Sequence, residues 1–143
     1  MPPVTIHSQY IKDFSFENPH AAKRNFQENT AQPQVEINLQ TSAIVLQDNT
    51  YEVTLQIDVN VTRDETQEFL LEIAYAGTIS LAPELEEGMV AVALTVHVPT
   101  LLFPFARQVI ADMTVQGGYP PLLLEPVDFA SLFMEKNPTK GEN

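Results

Sequence analysis

Hydrophobic and polar residues alternate in several separate segments of the first half of the chain and follow a helical period afterwards. Tyr51, Val53, Leu55, Ile57, Val59 and Val61 are separated by Glu52, Thr54, Gln56, Asp58 and Asn60. That period of two predicts an antiparallel strand over Tyr51–Val61 with one buried and one wet face. Gln67–Ala76 predicts the next strand, with Phe69, Leu71, Ile73 and Tyr75 on one face and Glu68, Leu70, Glu72, Ala74 and Ala76 on the other; Gly77 to Leu81 continues or ends it. Thr62–Thr66 is the turn between them. Upstream, Tyr10–Glu17 alternates, with Tyr10, Lys12, Phe14 and Phe16 on one side and Ile11, Asp13, Ser15 and Glu17 on the other. Val35, Ile37 and Leu39 mark a further strand that can continue through Ile44–Leu46, closed by a turn at Asp48-Asn49. Between these, Asn18-Pro19-His20 is a turn signal and Ala21–Gln34 a polar connection.

After Pro83 the period lengthens. Glu84–Val98, with acidic residues first, predicts a helix that Pro99 ends. Thr100–Gln116 predicts a long helix, with Leu102, Phe105, Ala106, Val109, Ile110 and Met113 on one stripe and Gly117-Gly118 at its end. Tyr119–Val127 is extended, since Pro120, Pro121 and Pro126 forbid helix, and Asp128 caps a short final helix, Phe129–Lys136. Strands first and helices after is an α+β pattern, here in one domain over residues 1–143 with mobile ends at 1–5 and 137–143.

The long helix carries more apolar surface than one sheet can cover: Leu101, Phe103, Ala111 and Val115 lie outside its main stripe. Covering them takes either the Met89–Val98 helix of the same protomer or another copy of the chain, and the oligomer is the favoured reading. Met89–Ala106 lacks formal charge, but Pro99 and Pro104 argue against one membrane-spanning helix and for a buried pair. The irregular apolar run Tyr119–Leu124, followed by Phe129, Leu132 and Phe133, either finishes the core or walls an apolar groove.

Charge narrows the partners. Seven Lys and Arg against nineteen Asp and Glu give a net charge of −12. Such a chain is a poor non-specific binder of nucleic acid or anionic lipid. The acids fall on the predicted wet strand faces: Asp13 and Glu17, Glu52 and Asp58, Glu68 and Glu72, with Leu70 among them. If those faces coincide, the sheet offers a negative plate to a basic partner. The chain has no Cys, no Gly-rich phosphate loop and no spacing of His7, His20 and His97 that suits a metal, so no catalytic residue, metal or cofactor is expected. The first residues show no secretory signal, which points to the cytoplasm.

Several stretches, in order, resemble the SecB family of bacterial protein-export chaperones: Tyr10–Pro19, Tyr51-Glu52-Val53, Leu101–Arg107, Gly118–Pro121, Pro126–Phe129 and Leu132-Phe133. The resemblance implies a four-stranded antiparallel sheet, a long helix and a short C-terminal helix, assembled as a dimer of dimers with helices between sheets. It implies a chaperone without enzymatic activity or cofactor that holds unfolded preproteins and delivers them to the motor SecA. It places SecA binding on Asp13, Glu17, Leu70 and Glu72, the client groove on Ile37, Leu39, Phe129, Leu132 and Phe133, and tetramer assembly on Leu71, Ile73 and Tyr75. The crossover Phe26–Val35 departs from the family, with Thr30-Ala31 near where relatives often carry Trp. A SecB-like chaperone dedicated to one partner, such as an antitoxin, is the alternative.

Overall fold

The computed structural model describes residues 3–24, 26 and 31–136. Residues 1 and 2, Thr30 of the crossover and the tail 137–143, for which mobile ends and a departure from the family are expected, lie outside the described residues. Among the described residues, four long strands form one antiparallel sheet in the order β1-β4-β3-β2: β1 (Val4–Glu17), β2 (Gln34–Gln47), β3 (Thr50–Arg63) and β4 (Thr66–Leu81). A short helix α1 (Ala21–Arg24) stands in the connection from β1 to β2. All four predicted strands are present, and each is longer than its periodicity marked. Val4 and Thr5 are not a loose lead but pair with Leu81 and Ser80 of β4. His7 lies in that strand too, hydrogen-bonded to Ser80. The turn after β3 narrows to Asp64-Glu65, both at positive φ (51° and 64°), the backbone that suits a two-residue hairpin.

One strand face differs from the alternation expected. β1 shifts register between Ile11 and Asp13 and again between Ile6 and Ser8. A bulge inserts an extra residue and flips the faces beyond it. Tyr10 and Lys12 therefore stand on the outer face, where both hydrogen-bond Glu52, and only Phe14 and Phe16 turn inward, as expected. Ile11 falls on the inner side, near the free edge.

The second half corrects the expected helix pair. α2 (Glu87–Val92), a π-helical turn Ala93–His97 and α3 (Val98–Gln116) form one continuous helix, Glu87–Gln116. Proline lacks the N–H that its turn would use. The chain absorbs Pro99 by widening the turn before it, where the N–H of Val98 reaches back five residues to the Ala93 carbonyl. Threonine hydroxyls take up nearby carbonyls, Thr95 to Ala91 and Thr100 to Val96, each at 2.6 Å. Because Met89–Val98 is collinear with α3, it cannot fold back over it. By length and composition this helix could cross a membrane, and a third (33%) of its most apolar window is buried within the protomer.

Val98, Leu102, Ala106 and Ile110 press against the inner sheet face and are fully buried with Leu55, Ile57, Leu71 and Ile73. Burying such side chains gains roughly 1.5–3 kcal/mol each. Phe105, expected on this stripe, is instead 51% exposed, stacked on Tyr75 with ring centroids 6.4 Å apart. Phe103, expected outside it, is buried against Phe129.

Gly117 and Gly118 end the helix, with the N–H of Tyr119 returning to Thr114 and that of Gly118 to Val115. Gly118 has φ 90°, where an L side chain is strained. A Cβ at Gly117 would lie 2.6 Å from the Phe16 ring, which packs on Phe69 with centroids 5.6 Å apart. Gly117→Ala is therefore expected to lower unfolding stability by about 1–3 kcal/mol through overpacking, read by urea titration. The chain then returns past Thr114, whose Oγ1 accepts the N–H of Leu122, to α4 (Phe129–Lys136). Asp128 caps α4 as expected, accepting the N–H of Ser131 at 3.1 Å and its hydroxyl at 2.7 Å. Those bonds hold its carboxyl below the usual carboxylate range.

Candidate functional site

Two surfaces carry the chemistry. The first is the outer face of the sheet. Register brings Glu17, Leu70, Asn60 and Glu36 into one row across all four strands, and Ser15, Glu72, Asp58 and Asn38 into the next. The expected SecA-binding residues thus share one face: Asp13 and Glu17 on β1, Leu70 and Glu72 on β4. Asp13, Glu17 and Glu72 are exposed, while Leu70 is half-buried between Glu17 and Asn60. Ser15 reaches Glu72 at 3.4 Å, and Gln56 donates to Asp58 at 2.8 Å.

Not every acid expected there contributes charge. Glu52 is bound by Lys12 at 2.7 Å and by the Tyr10 hydroxyl at 2.5 Å. The Lys12 and Tyr10 hydrogen bonds hold its carboxyl below the usual range, and the same bond raises the Lys12 ammonium. Burial first, then the bond to Glu52, pushes the Tyr10 phenol up. A depressed carboxyl contributes stability above its ordinary pKa and loses it as pH falls through the lowered value; a raised ammonium loses its share as pH rises through the raised one. The pair is intact across the neutral range, so Glu52→Gln is expected to lower stability slightly and by a nearly constant amount there, with the difference from the unaltered protein fading as pH falls through the lowered carboxyl value, checked by thermal melts across pH. Glu68 is paired as well, with Arg63 at 2.8 Å. The uncompensated acids therefore gather at the Glu17 end of the plate.

The second surface is apolar. β2 is an edge strand whose inward positions Val35, Ile37, Leu39, Thr41, Ala43 and Val45 oppose the core positions of β3. The helix covers them poorly: Ile37 is 49% and Val45 70% exposed, and Leu39 is half-buried. Of the other expected groove residues, Leu132 and Phe133 are half-buried on α4, whereas Phe129 is 3% exposed and belongs to the core, offering an occupant little surface.

At the Val35 end this strip opens into a cleft of about 250 Å³. Val35, Val61, Phe69 and Leu122 line it with Pro33, Pro120 and Pro121. Tyr119 forms a wall, its ring 4.8 Å from that of Phe69 and its hydroxyl donating to Asn18 at 2.8 Å. Burial, then the nearby Glu68 carboxylate, raises its phenol. Two arginines complete the cleft. Arg24 lies over the Tyr119 ring and bonds the Gly118 carbonyl; Arg63 joins Glu68 to the Ala31 carbonyl. The apolar run from Tyr119 was a candidate groove wall in the sequence. Arg24 and Arg63 were not, because nothing in a linear pattern shows that residues 39 apart converge.

The residues assigned to assembly sit differently from a direct interface. Leu71 and Ile73 are fully buried under α3 of their own protomer, and Tyr75 is buried beneath the half-exposed Phe105, with its hydroxyl donating to Gln9. The exposed large apolar residues of α3 are Leu101, Phe105 and Val115, with Met89 near the start of the same continuous helix. No cluster of three or more His, Asp or Glu placed to hold a metal occurs among the described residues.

The SecB family profile, described as Preprotein translocase subunit SecB, matches residues 1–140. A protein-export protein SecB of Rhodospirillum centenum is 38% identical over 141 residues, covering 99% of this chain and 83% of the relative. Those of Xanthobacter autotrophicus and Sphingopyxis alaskensis are each 42% identical, covering 99% and 94% of this chain and 89% and 77% of theirs. A SecB-like chaperone of Mycobacterium tuberculosis, solved with a peptide from an antitoxin, superposes with a TM-score of 0.72 at 12% identity, covering 87% of this chain and 91% of that one. At that identity the likeness concerns the fold. With a profile match over nearly its whole length and export chaperones related to it end to end, the chain belongs to the SecB family.

Proposed function

We propose that this chain is an export chaperone that binds unfolded preproteins on the cytoplasmic side, keeps them from folding and aggregating, and passes them to SecA. The observation that carries the reading is the exposed apolar strip of β2, running into the Tyr119 cleft on a molecule of net charge −12. Surface of this kind is unusual on a monomer and marks a place where apolar chain is held. Many weak contacts along a strip give avidity without tight binding at any one. Holding lowers the concentration of free aggregation-prone chain, and a client that folds quickly escapes. On this reading Ile37, Leu39, Leu132 and Phe133 belong to the client groove, while the acidic plate of Asp13, Glu17, Leu70 and Glu72 takes the zinc-containing C-terminal segment of SecA. Four copies close over Leu101, Phe105 and Val115 as a dimer of dimers, with Leu71, Ile73 and Tyr75 setting the helix's position from beneath.

The test is light scattering of an unfolded precursor diluted from denaturant. The assembled protein is expected to suppress aggregation at near-stoichiometric amounts, and Ile37→Asp, which sets a carboxylate on the strip, to need several-fold more. No suppression by the unaltered protein overturns the reading. An antitoxin-dedicated role draws support from the bound peptide of the mycobacterial neighbour. It predicts that SecA is not retained in a pull-down, whereas the export reading predicts retention.

A further inference from the structure

Tyr119 gives the cleft a rigid aromatic platform. Its ring packs on Phe69 with centroids 4.8 Å apart, and its hydroxyl is held between Asn18 at 2.8 Å and the Glu68 carbonyl at 3.1 Å. None of these contacts uses Arg24, so the ring stays in place without it. Arg24 covers one face of the ring, its guanidinium 4.0 Å from the centroid and bonded through one nitrogen to the Gly118 carbonyl. A ring face beside a carbonyl oxygen is a subsite for any guanidinium, which stacks on the one and donates to the other. On a molecule of net charge −12, a cation from outside is drawn towards the same place. Arg24 is lightly anchored there. It ends α1, a helix of four residues with none buried, and among the described residues its guanidinium is held by the ring and the carbonyl. The cleft beside it, about 250 Å³ and lined by Val61, Phe69, Pro120 and Leu122, is below the ordinary size of a small-molecule site (~300–1,000 Å³) and suits one large apolar side chain.

We propose that Arg24 is an internal stand-in for a client cation: it fills the guanidinium subsite on Tyr119 in the unloaded protein, and a client segment with an arginine next to a large apolar side chain displaces it. This rests on the reading that clients occupy the cleft. Because Arg24 is tethered, it competes at high effective concentration. A segment that brings charge alone exchanges one cation for another and gains almost nothing at this subsite. A segment that also seats an apolar side chain in the cleft gains that burial, and only then is the exchange favourable. Arg24 thereby keeps an acidic molecule from collecting basic chain that has no apolar anchor.

Two labelled peptides test this, identical except for Arg or Gln beside a Leu-Phe anchor, titrated by fluorescence anisotropy against the assembled protein. The readout is the ratio of the two affinities, which cancels any general effect of a substitution on binding. In Arg24→Gln the Arg-to-Gln ratio is expected to rise about 2–5-fold over that of the unaltered protein, through tighter binding of the Arg peptide alone. Lys23→Gln removes the same charge one residue away without touching the ring, and should change the ratio less than about 1.5-fold. An unchanged or lower ratio in Arg24→Gln overturns the inference while leaving the cleft as a client site. Equal rises in Arg24→Gln and Lys23→Gln assign the effect to net charge rather than to the subsite and overturn it too. Binding of neither peptide to the unaltered protein or to Arg24→Gln overturns the client reading of the cleft and this inference with it.

Discussion

Leu101→Asp is expected to split the assembly while leaving the protomer folded. Leu101 is 47% exposed on α3, turned away from the sheet, and Phe105 and Val115 share its free surface. In an isolated protomer a carboxylate there meets water and costs almost nothing. Inside an interface between copies it is an unpaired buried charge, a penalty of about 3–5 kcal/mol at each site. Closed symmetry repeats that penalty in every protomer. Association should weaken by at least about a hundredfold, read as a fall in native mass with an unchanged far-ultraviolet spectrum. Leu102→Asp, one residue along and fully buried against the sheet, should unfold the chain instead. Retention of the full mass by Leu101→Asp would place the helix outside the interface. Among the described residues the face has no cover, because Met89–Val98 continues α3 rather than folding over it.

Glu72→Lys is expected to have the second large effect, on the proposed docking of SecA rather than on assembly. Glu72 lies between Ser15 and Asp58 in the second row of the plate, one row from Glu17 and Leu70. Reversal places a cation amid the uncompensated acids and sets like charge against a basic partner, so affinity should fall by tenfold or more (at least about 1.4 kcal/mol). Glu52→Gln is the contrast. Glu52 faces the same way, but Lys12 already neutralises it at 2.7 Å, so its loss should change affinity less than about twofold. Titration calorimetry with the C-terminal segment of SecA measures both, and the unaltered affinity should decline with added salt. Equal losses for the two variants would mean that charge on the plate does not position the partner.

The sheet was legible because each strand has one dry face: Tyr51–Val61 alternates without a break, and its register carries over to β4 and β2. The acidic plate followed from the same period. The pattern misled where a local device altered the count. The bulge at Lys12 inserts one residue, so Tyr10 and Lys12 cross to the outer face, which alternation alone assigned to Ile11. Pro99 looked like a helix end, since proline removes a donor; a wider turn and two threonine hydroxyls absorb that loss, and no single-residue propensity encodes such a remedy. Phe103 and Phe105 exchanged roles because the stripe depends on what lies opposite: Phe129 returns from far along the chain to cover one and leaves the other open. Half of the apolar site was visible in Tyr119–Leu124. The arginines that give the cleft its charge were not, because their meeting depends on the crossover's path.

The claim beneath all of this is that several chains close over the apolar helix face and leave the β2 strip free for an unfolded client. Light scattering coupled to size exclusion, with and without a denatured precursor, measures both parts at once. The account predicts about four times 16.0 kDa alone and a heavier species containing precursor when it is present. A 16.0 kDa folded protomer, or a precursor that aggregates without joining the assembly, would contradict it.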